Sequence, residues 1–208
     1  MKLKEIWRGL KNLSGISELF YSLLAIIFAL LIGAVLIYLS GHDAVGAYYH
    51  LFFGAFGNTY NLAQTLLKTI PLIFTGLAVA VGFQSGLFNI GAEGQLYWGA
   101  FVTAIIAISL PGLNGFILVP LALLGGSLAG GIWAAVPGYL KARTGAHEVI
   151  TTIMLNYIAI LGTTFLVKNF FKTQGPVDQT NTIPAQARLP KLIPNTRLTW
   201  ALILGVAV

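Results

Sequence analysis

The sequence has no cysteine, which excludes disulfides, thiolate nucleophiles and cysteine-based metal sites. Charge is almost as scarce: Asp, Glu, Lys and Arg make up 9% of the 208 residues, against roughly one quarter in soluble domains. His-Glu-x-x-His, Gly-x-Ser-x-Gly and the phosphate-binding Gly-x-x-x-x-Gly-Lys-Ser/Thr are all missing. No catalytic residue, metal centre or bound cofactor is therefore assigned, and any work done with ATP-Mg must be done on another polypeptide. No internal repeat is visible at a fixed period.

What is abundant is apolar surface. The chain is 57% hydrophobic, with a mean hydropathy of +0.83, and its uncharged runs have the length of about 20 residues that crosses about 30 Å of hydrocarbon. It reads as an all-α integral membrane protein. The formal net charge of +6 does not point to nucleic acid, because the basic residues sit mainly at the ends of apolar runs, where they act as topology signals and surface anchors.

Four basic residues, Lys2, Lys4, Arg8 and Lys11, precede the first run, Leu19 to Leu39, and place the N-terminus in the cytoplasm by the positive-inside rule. That run is too long for a signal-peptide core. Ser40 to Asn61 has no Lys or Arg and reads as an external loop, with Tyr48, Tyr49, Phe52, Phe53 and Phe56 at headgroup level. In the second run, Leu62 to Gly82, Gln64, Lys68, Pro71, Thr75 and Gly82 form a stripe expected to face other helices. The third run extends from about Phe88 to Leu110 and the fourth from Phe116 to Leu140. The fourth contains Gly125-Gly126-Ser127-Leu128-Ala129-Gly130-Gly131, small residues that let helix backbones approach closely.

A short charged turn, Lys141 to Glu148, leads to the fifth run, Val149 to Phe171. The proline-broken segment Asn169 to Arg197 lies outside by parity, although Lys172, Arg188, Lys191 and Arg197 run against the charge rule. A sixth run starts at Leu198 and stops at Val208, short of a crossing, so a longer parent protein is expected. The architecture is thus a polytopic helical bundle of five full transmembrane helices plus the start of a sixth.

The most unusual stretch is Gly86-Leu87-Phe88-Asn89-Ile90-Gly91-Ala92-Glu93-Gly94-Gln95, polar and glycine-rich between two apolar runs. Unsatisfied polar groups cost several kcal/mol in hydrocarbon, so such a segment belongs against protein or a lined cavity. If helical from about Phe88, it puts Asn89, Glu93 and Tyr97 on one face and Gly91, Gln95 and Gly99 on another. Asn89, Glu93 and Gln95, with Thr152 and Asn156 from the fifth run, are the candidate residues for lining a solute path or bracing the bundle. A proton-exchanging role for Glu93, as in a secondary transporter of a small polar solute, is the alternative.

This decapeptide and a second string, Gly145-Ala146-His147-Glu148-Val149-Ile150-Thr151-Thr152-Ile153-Met154-Leu155-Asn156-Tyr157-Ile158-Ala159, resemble the membrane permease subunit of ABC importers for nucleosides and simple sugars. That superfamily also contains branched-chain amino-acid permeases. The resemblance implies a single transmembrane permease domain over 1–208, incomplete at its C-terminal end, in the plasma or inner membrane. It implies a second permease subunit, alike or different, a cytoplasmic ABC ATPase, and an external or periplasmic solute-binding protein. Arg188 and Lys191 in the outer segment are the expected docking residues for that binding protein. The family's cytoplasmic coupling segment, which follows the sixth helix, does not occur in this sequence.

Overall fold

A computed structural model describes residues 2–207, with side chains from residue 19 onward. The basic residues at positions 2–11, on which the orientation rests, therefore lie outside the described side chains. Regular structure among the described residues is helical, apart from one isolated bridge between Lys191 and Thr199. The helices are α1 (Lys2–Leu39), α2 (Ala44–Phe56), α3 (Thr59–Gln84), α4 (Ala92–Ser109), α5 (Gly115–Thr144), α6 (Glu148–Leu166) and α7 (Ala201–Ala207). Four stretches are long and apolar enough to cross a membrane: Leu19–Leu39, Thr59–Gln84, Gly115–Thr144 and Glu148–Phe171. The protein is a multi-pass membrane protein.

The residues form two compact units, Met1–Leu62 and Ala63–Val208. In the first, the segment expected as an external loop is mostly helix α2. Asp43 caps it, its carboxylate oxygens accepting from the backbone amides of Val45 and Gly46 at 3.0 Å each. An aspartate just before an apolar run is a helix-start signal, and here it was the one available. The Tyr48 hydroxyl donates to the carbonyl of Leu30 on α1 at 2.5 Å. Gly33 leaves the room, since a Cβ there would lie 2.7 Å from that hydroxyl. Tyr49, Phe52, Phe53 and Phe56 are exposed, whereas Tyr48 is half-buried.

In the second unit α4 is clasped between α5 and α6. The α4–α5 contact runs along the glycine seam. A Cβ on Gly126 would lie 2.7 Å from the carbonyl oxygen of Gly99, and one on Gly130 would lie 3.0 Å from that of Gln95. Thr103 closes the seam by donating its hydroxyl to the Gly99 carbonyl at 2.8 Å. Gly131, by contrast, faces open space. Gly126→Val should therefore lower thermal stability in detergent by about 1–3 kcal/mol through overpacking. Gly131→Val should stay within about 0.5 kcal/mol of the parent, and equal losses at the two positions would contradict the seam.

The stripe expected on α3 is only partly inward, because Lys68 and Pro71 are exposed while Ala63 is buried. After α6 the chain makes a π-helical turn, Val167–Phe171, and then the irregular segment before α7. That segment is stitched down: Lys172 pairs with Asp178 at 2.5 Å, the Gln186 amide donates to the Pro111 carbonyl at 2.7 Å, and Thr196 and Leu198 are buried. Leu198, expected to open the sixth run, thus belongs to the segment, and helix starts at Ala201 with Gly205 buried beside Phe74.

Candidate functional site

The polar decapeptide begins as a helix stop. Gly86 is in the left-handed region at φ +71°, its amide donates to the Phe83 carbonyl at 3.0 Å, and the Leu87 amide reaches back to the Gly82 carbonyl at 2.9 Å. This pair of bonds is the Schellman termination, which satisfies the last carbonyls of α3 and favours glycine at its left-handed position.

Helix does not resume at Phe88, as the sequence pattern suggested, but at Ala92. The reason is local: the Asn89 side-chain oxygen accepts from the Gly91 amide at 2.8 Å, folding residues 89–91 into a turn that competes with helix. The same oxygen lies 3.4 Å from the Gln95 amide nitrogen. Asn89 and Gln95, expected on different faces, are therefore partners.

Asn156 on α6 holds the start of α4 from across the bundle. Its amide donates to the Ile90 carbonyl at 2.9 Å, and its oxygen accepts from the Gly94 amide at 2.8 Å. The first four amides of a helix lack intrahelical acceptors, so Asn156 performs from another helix the service of a capping side chain. Gly94 permits the approach, since a Cβ there would sit 2.9 Å from the Asn156 oxygen and 3.1 Å from its Cα. Gly91 lies equally close to Thr152, whose Cβ would be 3.2 Å from a Cβ at that glycine. Thr152, Asn156, Ala159 and Thr163 thus follow one line of α6 facing α4, with Thr152, Ala159 and Thr163 buried.

The same end of the bundle carries an ion pair, within the segment read from the sequence as a short charged turn. Lys141, in the last turn of α5, donates to the Glu148 carboxylate at 2.6 Å and to the Gly86 carbonyl at 3.3 Å. Glu148 stands in the first turn of α6, and the backbone amide of Phe88 faces its carboxylate. Each charge sits at the helix end whose dipole favours it. The legible signal was Gly145, the left-handed C-cap at φ +69°, which separates a basic helix end from an acidic helix start.

Between α3, the decapeptide, α5 and α6 lies a cavity of about 480 Å³. Phe74, Leu77, Ala78 and Val81 of α3 give it an apolar wall; Ser85, Asn89, Gln95, Glu148 and Thr152 contribute its polar groups. Mostly apolar pockets of this size with a few convergent polar groups are typical of small-molecule sites. Of the five residues singled out from sequence, Asn89, Gln95 and Thr152 line the cavity, and Asn156 braces behind it. Glu93 does neither. It is exposed on the opposite side of α4, in line with Tyr97, and has no hydrogen-bond partner among the described residues. Arg188 and Lys191 are both exposed in the segment after α6, with the Arg188 guanidinium donating to the Ile183 carbonyl at 3.0 and 3.2 Å.

Comparison with known proteins agrees with this architecture. Residues 61–208 match the family described as "Branched-chain amino acid transport system / permease component". The guanosine ABC transporter permease protein NupP of Bacillus subtilis is 43% identical over 154 residues, covering 74% of this chain and 44% of the relative. The nucleoside ABC transporter permease protein NupB of Lactococcus lactis is 35% identical over 193 residues, covering 88% of this chain and 53% of the relative. A glucose ABC transporter permease protein of Haloferax volcanii is 37% identical over 136 residues, 65% of this chain and 36% of its own. The chain spans about half the length of the curated relatives it matches, and no solved structure matches it. With a family match that takes in α3 to α7 and the whole cavity, this chain belongs to the branched-chain amino-acid transport system permease family.

Proposed function

We propose that the chain forms part of the membrane pathway of an ABC importer that carries nucleosides into the cytoplasm. The observation that carries this reading is the cavity, in which Asn89 and Gln95 supply amide donors and acceptors against an apolar wall, in a chain 43% identical to a guanosine permease protein. Amides of this kind suit a heterocyclic, hydroxylated solute. The glucose relative leaves simple sugars as the neighbouring substrate class. Energy comes from ATP-Mg on a separate cytoplasmic ATPase, with a second permease subunit beside this one and a solute-binding protein outside, docking through Arg188 and Lys191. The relatives' names favour this over proton exchange at Glu93.

In this reading α4 is a fifth crossing and α7 the start of a sixth. Its 18 residues measure about 27 Å, and Glu93 and Gln95, which lower its hydropathy, are carried by packing between two spans. The N-terminus and the Lys141 end are cytoplasmic, and 1–208 is a single permease domain.

Reconstitution of the full-length parent protein with its second permease subunit, the ATPase and the binding protein tests the proposal through uptake of tritiated guanosine. Uptake should be abolished by vanadate and survive a protonophore, and Asn89→Leu and Gln95→Leu should each cut it at least tenfold. Protonophore-sensitive, vanadate-resistant uptake would overturn the ABC assignment, and full uptake by both variants would remove the cavity from the path.

A further inference from the structure

A second cavity, of about 390 Å³, lies between the middle of α4 and the C-terminal end of α6. Its floor is one face of α4, Tyr97, Ala100, Phe101 and Ala104, at the spacing of successive helical turns. Its roof is the segment after α6, through Asp178, Gln179 and Thr180. Thr152 of the first cavity and Thr163 of the second are eleven positions apart on α6, about 16 Å along the axis.

This cavity is built rather than incidental. Lys172 holds Asp178 at 2.5 Å through one carboxylate oxygen, and the Thr173 amide bonds the Gln179 carbonyl at 2.9 Å, so the roof is tied to itself. Phe101 is fixed edge-on between Trp98 (5.9 Å, 88°) and Phe171 (5.7 Å, 76°). The π-helical turn starts at Val167, which lines the cavity, and such turns recur at functional positions. Lys172 and nearby Lys168 hold the Asp178 carboxyl below its ordinary range, so it is ionised at neutral pH.

The groups left without a partner among the described residues are the second Asp178 oxygen, the Gln179 side-chain amide and the hydroxyls of Thr180 and Tyr97. A charged acceptor, an amide and two hydroxyls around two aromatic rings recognise a flat ring that carries N–H and O–H donors. A lipid chain would use none of the polar groups. An acyclic amino acid would not use the rings.

We propose that this outer cavity is a separate binding station for a nucleoside, whose base lies against Tyr97 and Phe101 and whose donors meet the free oxygen of Asp178. The solute class rests on the importer reading above. Glu93 stands one turn before Tyr97 on the same exposed face of α4.

The test is binding of tritiated guanosine to the full-length parent protein in nanodiscs, with 8-azidoguanosine photolabelling to locate it. Saturable binding, label on α4 between Tyr97 and Ala104, and at least tenfold weaker binding in Asp178→Asn and Tyr97→Leu are expected, with Tyr97→Phe losing less than threefold. No saturable binding, binding undiminished in Tyr97→Leu, or label confined to residues 74–95 would overturn the station. Should Asp178→Asn unfold the roof by releasing Lys172, Tyr97→Leu alone decides. The two readings fail separately: guanosine uptake by the reconstituted importer without binding at Tyr97 sinks only the station, and binding at Tyr97 without uptake sinks only the importer.

Discussion

Replacing Asn156 by leucine should produce the largest loss of stability of any single polar substitution in the bundle. The side chain makes two bonds to one helix start, and both partners, the Ile90 carbonyl and the Gly94 amide, would be stranded. Of these partners Gly94 is buried, and an unsatisfied buried polar group costs about 1–3 kcal/mol, so a loss of that size is expected in thermal unfolding in detergent. Gly94→Ala attacks the same contact from the other side, because its Cβ would press on the Asn156 oxygen and Cα. Together the two changes should cost less than the sum of their separate effects, since the second removes what the first has already broken. Additive losses, or an Asn156→Leu protein as stable as the parent, would mean that α4 is held elsewhere.

Much of this arrangement could be read from the residues because membrane helices declare themselves by length, and helix ends by glycine. The runs beginning at Leu19, Leu62, Phe116 and Val149 are spans in the structure with ends shifted by only a few residues. Gly86 and Gly145 mark two helix stops. The polar line of α6 was also legible, since Thr152 and Asn156 fall on one side at 3.6 residues per turn and do meet α4. Two features of α4 were not legible. One was the start of α4, where an Asn89 side chain bonding its own backbone outweighs helical periodicity. The other was the direction of Glu93, because periodicity orders side chains around a helix without saying which sides its neighbours take. Once α5 claims Gln95 and Gly99 and α6 claims Gly94, Glu93 is left facing out.

Lys141→Met should have the second-largest effect, and it should appear as motion of the cavity floor before it appears as unfolding. The ammonium ties three helix ends: its own α5, the start of α6 through Glu148, and the stop of α3 through the Gly86 carbonyl. The pair is partly exposed, at 34% and 21% for the two side chains, so solvent screens it and its direct contribution is smaller than that of a buried pair. Lys141→Met should lower stability more than Glu148→Gln, which keeps a neutral acceptor. Because Asn89 belongs to the turn that follows Gly86, losing the tie should loosen the very groups that line the first cavity. Hydrogen exchange should therefore rise about tenfold, the equivalent of about 1.4 kcal/mol, at the amides of residues 86–91, while amides in the middle of α5 stay protected. Glu148→Gln should reproduce part of that pattern, and the double variant should add little to Lys141→Met alone. Unchanged exchange at residues 86–91 in Lys141→Met would show that the Schellman bonds and Asn89 hold the turn unaided and would reduce the ion pair to a surface feature.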